Sequence, residues 1–379
     1  MNKLNEVLSK ALERVKPTDS EVLLLCKLAD DFVGLLKSHK LKAFVGGSLA
    51  KGTLVKTKGK NDVDIFIVFE HEDDTRELVN YLKKIKLPGS LKVIHGSRDY
   101  FQIETSQVIF EIVPVVKNLD AGLVQNVTDF SLSHVDFVRK ATRKNKKLRD
   151  EILLAKAFCE ANNVYGAEGY TKGFSGYSLE VLVNHFGSFI YFLKGIQKKK
   201  IIDTKKYFKN EKEAFREINS SKLVSPLLVV DPTYKFRNIS AGLSYETFEK
   251  FLKKAHEFLK KPSIEFFEHK KFDHNEFKKG MKGKLVELKL TTDKQEGDIA
   301  GTKMKKFFDF VVNELKRNEQ KVLKSEFIYS GEGHTGHGYL MVGERKEVDV
   351  KGPPLKMKEA CLKFKKEKNS CKRDQDERI

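Results

Sequence analysis

The segment Gly46-Gly47-Ser48-Leu49-Ala50-Lys51-Gly52-Thr53, followed by Asp62-Val63-Asp64-Ile65-Phe66-Ile67-Val68-Phe69, constrains this chain more than any other. Residues two apart in a strand point to the same side. Asp62 and Asp64 therefore share one face, and Val63, Ile65 and Ile67 take the other. Side-by-side carboxylates repel and raise each other's pKa unless a cation sits between them. Hard oxygen donors at that spacing suit Mg²⁺ carrying substrate phosphates. The preceding Gly-Gly-Ser turn offers backbone N–H groups and the Ser48 hydroxyl to those phosphates. Taken alone, Asp-x-Asp and Gly-Gly-Ser are common motifs. Joined in this order, with the short strand Leu41 to Val45 ahead of the turn, they point to metal-dependent phosphoryl or nucleotidyl transfer.

A third acid enters at Glu111, which interrupts the apolar run Val108-Ile109-Phe110-Glu111-Ile112-Val113-Pro114. A carboxylate in such a strand either faces solvent or is paired or metal bound. Beside Asp62 and Asp64 it reads as a third metal ligand, and three acids on neighbouring strands could hold two Mg²⁺ ions.

The 379 residues correspond to two or three domains at roughly 100–200 residues each. Lysine and arginine number 72 against 53 acids, a net charge of +19 that favours a polyanionic partner. No apolar run approaches a spanning helix and the N-terminus has no h-region, so a cytoplasmic location without membrane partners is expected. Cys26, Cys159, Cys361 and Cys371 lack pairing or zinc spacing and read as reduced thiols.

Along the chain, Leu4, Val7, Leu8, Ala11 and Leu12 predict a helix that stops at Pro17. Thr18 with Glu21 reads as a capping box for an amphipathic helix carrying Leu24, Leu25, Leu28, Phe32 and Leu36. A helix over 73–84 and strands at 93–94, 100–103 and 108–116 complete an α+β region to about residue 117. From about 134 helix dominates, with the basic run Arg139 to Arg149 as either a solvated face or a phosphate contact. Tyr165-Gly166-Ala167-Glu168 leads to Gly173-Phe174-Ser175-Gly176-Tyr177, which opens a helix. The lysine-rich stretch 197–223 reads as a loop. A strand ending at Asp231-Pro232 follows, and Phe236 to Ala241 introduces a helix from Tyr245. Arg237 there is either a surface arginine at a helix start or a rigid donor fork for base edges or phosphates. From about 263 the pattern alternates again as an α+β domain: strands at 284–290, 322–329, 338–342 and 346–350, and a helix at 302–315. A charged terminus that frays closes the chain.

Taken in order, Gly47-Ser48…Asp62-Val63-Asp64, Glu111-Ile112-Val113-Pro114, the Tyr165 and Gly173 motifs, Val230-Asp231-Pro232…Arg237-Asn238 and Gly352-Pro353-Pro354 make the chain similar to archaeal-type, class I tRNA CCA-adding nucleotidyltransferases. These belong to the polymerase-β-like nucleotidyltransferase superfamily. The resemblance implies an α+β protein with a catalytic head (1–133), a mainly helical neck (134–262), and an α+β body with a shortened tail (263–379) for tRNA binding. It implies Mg²⁺ dependence and template-independent addition of C, C and A to tRNA from CTP and ATP. By position, Asp62, Asp64 and Glu111 match the metal-binding acids, with Glu111 where Asp is common. Gly47 and Ser48 match the triphosphate turn, with Lys51 where Arg is expected. His134, Lys156 and Tyr165 match residues on the nucleotide's phosphates and sugar, and Arg237 the arginine at the base edge. A terminal transferase adding one base type and a non-catalytic RNA-binding protein are the alternative readings, and the oligomeric state, a homodimer included, stays open.

Overall fold

The computed structural model describes residues 3–57, 59–96, 98–117, 126–269, 272–343 and 352–367. The chain divides into two compact units, residues 1–273 and 274–379.

The first unit begins with helices α1 (Lys3–Val15) and α2 (Asp19–Ser38). Thr18 and Glu21 form the expected capping box, with Glu21 N–H donating to the Thr18 hydroxyl (3.2 Å) and Thr18 N–H to Glu21 (2.7 Å). Because this box satisfies donors that the helix itself leaves open, Thr18→Ala is expected to cost about 1 kcal/mol in denaturant unfolding. The buried stripe of α2 is Leu25, Ala29, Phe32, Val33 and Leu36; Leu24, expected within it, is 47% exposed.

Then come β1 (Ala43–Val45), the five-residue helix α3 (Gly47–Lys51), β2 (Asn61–Phe69) and, after a 3-10 turn, α4 (Leu78–Lys83). Strands β3 (Ser90–Ile94), β4 (Tyr100–Glu104) and β5 (Val108–Val116) complete a sheet ordered β1-β2-β5-β4-β3. Only β2 and β5 run parallel. Val63, Ile65 and Ile67 line the core beneath α2, where Phe32 stacks on Phe110 at 4.2 Å. Burying one strand face fixes the register, so the alternate carboxylates are forced to the other face.

Helices α5 (Ser131–Lys144), α6 (Leu148–Ala161), α7 (Gly176–Phe186) and α8 (Phe189–Gly195) build a second core. Phe158, Phe174, Phe189, Phe192, Phe251 and Phe258 are fully buried there, and Val7 and Ala11 of α1 pack into it. Arg98 joins this part to the sheet: it donates to Asp129 (2.6 Å), to the Pro114 carbonyl (3.0 Å) and to Glu72. Asp129 also accepts from Val116 N–H at 2.8 Å, so the end of β5 is tied to the segment that opens α5.

The stretch 197–223 is not the expected loop. It contains β6 (Ile201–Ile202) and α9 (Glu211–Glu217), followed by β7 (Leu228–Asp231) and β8 (Tyr234–Asn238). Its lysines hide a sparse apolar set, Ala214 and Ile218, which packs with Leu228 and Val230 into a small core. Arg237 likewise lies on a strand of the β7–β8 hairpin rather than at a helix start. Helix α10 (Tyr245–Lys260) follows.

The second unit holds α11 (His274–Lys278), β9 (Lys284–Thr291), α12 (Gly297–Arg317), β10 (Val322–Ile328), β11 (Thr335–Val342) and α13 (Lys358–Glu367). Its antiparallel sheet, ordered β10-β11-β9, packs on α12 through Phe308, Val312 and Leu340. Of the charged terminus expected to fray, residues 363–367 lie in helix α13, and the rest lies outside the described residues. The strand expected at 346–350, and Cys371, lie outside the described residues.

Candidate active site

The parallel pairing of β2 and β5 sets Asp64 in register with Glu111, and the antiparallel pairing of β4 sets Gln102 against Glu111. Gln102 Nε2 donates to Glu111 Oε1 at 2.8 Å. Burial, with the charges of Asp64 and Asp62, pushes the Glu111 carboxyl up to about 7 against that hydrogen bond. Burial also raises Asp64, opposed chiefly by the charge of Lys51. Among the described residues no three His, Cys, Asp or Glu side chains form a preformed metal cage. Asp64 and Glu111 thus present oxygen donors whose ionisation is held back by burial, and at Glu111 also by the neighbouring acids, while Asp62 stands exposed at the start of the strand. That donor set fits a hard divalent cation, which would reverse both effects.

Directly over Asp64 sits the glycine turn, which proves to be the first turn of α3. Gly46 N–H donates to the Asp64 carbonyl at 2.7 Å, locking the turn onto β2. Gly47 has φ +57°, and a Cβ there would lie 1.6 Å from Asp64 Oδ2. Only glycine satisfies both the left-handed backbone and that approach. Gly52, at φ +69°, ends the helix and returns the chain to Thr53.

Three more expected residues gather beside it. The buried Lys156 ammonium donates to Glu180 Oε1 (2.8 Å), the Thr53 carbonyl (3.0 Å) and the Thr53 hydroxyl (3.1 Å). Lys51 Nζ donates to Glu180 Oε2 at 2.9 Å, and the Thr53 hydroxyl to Glu180 Oε1 at 2.6 Å. Burial opposes ionisation of Glu180, yet Lys156 and Lys51 hold its carboxyl down at about 2. Tyr165 bridges to Phe174 just before α7, and a Cβ on Gly176 would stand 2.9 Å from its hydroxyl and 3.8 Å from Lys156 Nζ. Burial, reinforced by Glu180, raises the Tyr165 hydroxyl and keeps it protonated.

The last two expected residues, His134 and Arg237, meet at Asp231. His134 Nε2 lies 2.9 Å from Asp231 Oδ2, and Arg237 Nη1 donates to the same oxygen at 3.3 Å. A carboxylate only accepts, so Nε2 carries the proton, and the Arg237 nitrogen 3.2 Å from it is a neighbour rather than a donor. Burial lowers the His134 pKa, with Asp231 opposing. Asp231 Oδ1 accepts from the Tyr177 hydroxyl (3.2 Å) and from Thr233 N–H (2.8 Å). The Tyr177 ring stacks on His134 at 3.9 Å, and Lys51 Nζ lies 5.5 Å from its centroid. Tyr177 thereby joins the His134–Arg237 group to the lysines, and the lysines' charges reach Asp64.

All the expected residues thus fall in three adjoining groups of the first unit. Glu180 was not anticipated as a site residue, and Thr53, Tyr177 and Asp231 only as parts of motifs. Glu180 did leave a signal: it interrupts the aliphatic run Leu179-Glu180-Val181-Leu182-Val183, where an acid needs a buried partner.

Residues 25–153 match the nucleotidyltransferase domain family, and residues 150–268 match the second domain of tRNA nucleotidyltransferases. The chain is 33% identical over 339 residues to the CCA-adding enzyme of Nanoarchaeum equitans, covering 86% of this chain and 81% of that one. Against the CCA-adding enzyme of Methanocaldococcus jannaschii it is 29% identical over 383 residues, covering 96% and 84%. The fold is shared with a solved cytoplasmic RNA terminal U-transferase: TM-score 0.56 at 14% identity, over 72% of this chain and 100% of that one. No helix among the described residues is long and apolar enough to cross a membrane. On this similarity, the chain belongs to the CCA-adding enzyme family of archaeal tRNA nucleotidyltransferases.

Proposed function

We propose that this chain adds C, C and A to the 3′ end of tRNA in the cytoplasm, taking the nucleotides from CTP and ATP without a nucleic-acid template and releasing pyrophosphate. The observation that carries the reading is the in-register pair Asp64 and Glu111, with Asp64 lying under the glycine-led N-terminus of α3. Asp62, Asp64 and Glu111 would hold Mg²⁺, which when bound lowers the pKa of the tRNA 3′-hydroxyl and neutralises charge on the triphosphate. The amides at Gly47 and Ser48, with the Lys51 ammonium and the charge of Lys156, hold the triphosphate so that its α-phosphorus faces the tRNA hydroxyl. His134 and Tyr165 bound the phosphates and sugar, and Arg237, restrained by Asp231, keeps its outer donors for the base edge. Positioning and electrostatics of this kind are the main means of catalysis in phosphoryl transfer. Residues 1–133 form the catalytic head, residues 134–262 the neck, and the basic residues 263–379 the body and tail, which bind tRNA.

Supplied one at a time with Mg²⁺ to a tRNA lacking its CCA end, CTP is expected to be incorporated, and ATP, GTP and UTP to be refused. Incorporation of ATP alone into long tracts would instead indicate a single-base terminal transferase.

A further inference from the structure

Glu180 sits where three elements meet. It projects from α7 between Lys51 at the end of α3 and Lys156 of α6, and its side chain is about 1% exposed. Each carboxylate oxygen serves a different ammonium group: Oε2 accepts from Lys51 and Oε1 from Lys156. Thr53 completes the set by donating its hydroxyl to Oε1 and accepting from Lys156. Two ammonium groups against one carboxylate leave a single net positive charge facing the nucleotide site. Lys156 spends its donors on Glu180 and Thr53, whereas only one of the three Lys51 protons is used by Glu180.

We propose that Glu180 is a positioning residue for nucleotide binding, holding Lys51 and Lys156 side by side as a preformed cationic seat for the triphosphate. This rests on the nucleotidyl-transfer reading above. The buried Lys156 ammonium and the mostly buried Lys51 ammonium repel, and each is costly to keep out of water without an anion. A carboxylate bridging both offsets that cost before substrate arrives, so less of the binding energy is spent on ordering the lysines. The same oxygens fix the C-terminal end of α3, and with it the amides that face the phosphates. The Tyr177 hydroxyl, one helical turn before Glu180, holds Asp231 of the His134–Arg237 group, so α7 carries the support of both the phosphate and base ends of the site.

The test measures equilibrium binding of CTP and of ATP to the full chain without RNA, alongside steady-state extension of tRNA. Glu180→Gln is expected to weaken both nucleotides about tenfold, the scale of a lost charge-assisted hydrogen bond. KM for CTP and ATP rises with it, kcat at saturating nucleotide stays within about threefold, and tRNA affinity is unchanged. Glu180→Asp, which keeps the charge, recovers part of the loss. Unchanged nucleotide affinity in folded Glu180→Gln, or equal losses of nucleotide and tRNA affinity, overturns the inference. Should Glu180→Gln not fold, Thr53→Val is expected to weaken nucleotide binding about threefold by removing a hydroxyl from the same network, and wild-type affinity in that variant overturns it. If the natural chain binds CTP and ATP yet does not extend tRNA, the CCA-adding reading fails, and the binding measurements decide the role of Glu180 by themselves.

Discussion

Asp64→Ala is expected to lower nucleotide incorporation by about a thousandfold or more, while tRNA binding stays within about twofold. Its stability should not fall. Burial already disfavours the Asp64 carboxylate, and Glu111 stands beside it in register, so removing one of the two relieves repulsion. Sites built for chemistry commonly trade stability in this way. Single-turnover extension, tRNA binding and thermal unfolding check the three parts separately. Activity surviving in a folded Asp64→Ala chain would remove the carboxylates from the mechanism.

A single methyl group should do nearly as much harm at Gly47. The alanine Cβ would lie 1.6 Å from Asp64 Oδ2, far inside van der Waals contact, at a φ of +57° that costs a side chain about 1–2 kcal/mol. Either the carboxylate or the first turn of α3 has to move. A displacement of about 1 Å in such a site costs on the order of 100-fold in rate. We expect Gly47→Ala to lose about 100-fold in kcat/KM and about 1–3 kcal/mol in stability. Near-normal activity in Gly47→Ala would mean that α3 does not rest on Asp64 during the reaction.

The head was legible because its signals are local. Period-two alternation in 62–69 set which face of β2 is apolar, and Thr18 with Glu21 marked the start of α2 within one residue. Lysine content hid α9, since a helix with one buried residue, Ala214, has almost no amphipathic signature. Arg237 was misplaced for a different reason. The hairpin of β7 and β8 turns on Asp231, Pro232 and Thr233, and a proline after an acid reads equally well as the end of a strand. The acids that organise the cations lay further still from local pattern. Lys51 and Glu180 are 129 positions apart, and His134 and Asp231 are 97 apart. Spacing along the chain carries no information about such pairs; Lys51 and Glu180 meet only because α7 lies beside α6 and the end of α3, and His134 and Asp231 only because α5 lies beside the end of β7. What the sequence did signal in each case was an acid or a cation in an apolar setting, without its partner.

The proposed reaction builds one defined trinucleotide on tRNA. Three tRNAs, lacking the whole CCA end, its last two bases, or only the final A, are incubated with the full chain, Mg²⁺, CTP and ATP, and the products are resolved to single-nucleotide length. All three substrates should converge on the same mature 3′ end, with CTP alone taking the shortest only to the second C and ATP alone completing only the longest. Long A tracts, extension beyond the final A, or no extension of any of the three would contradict the account.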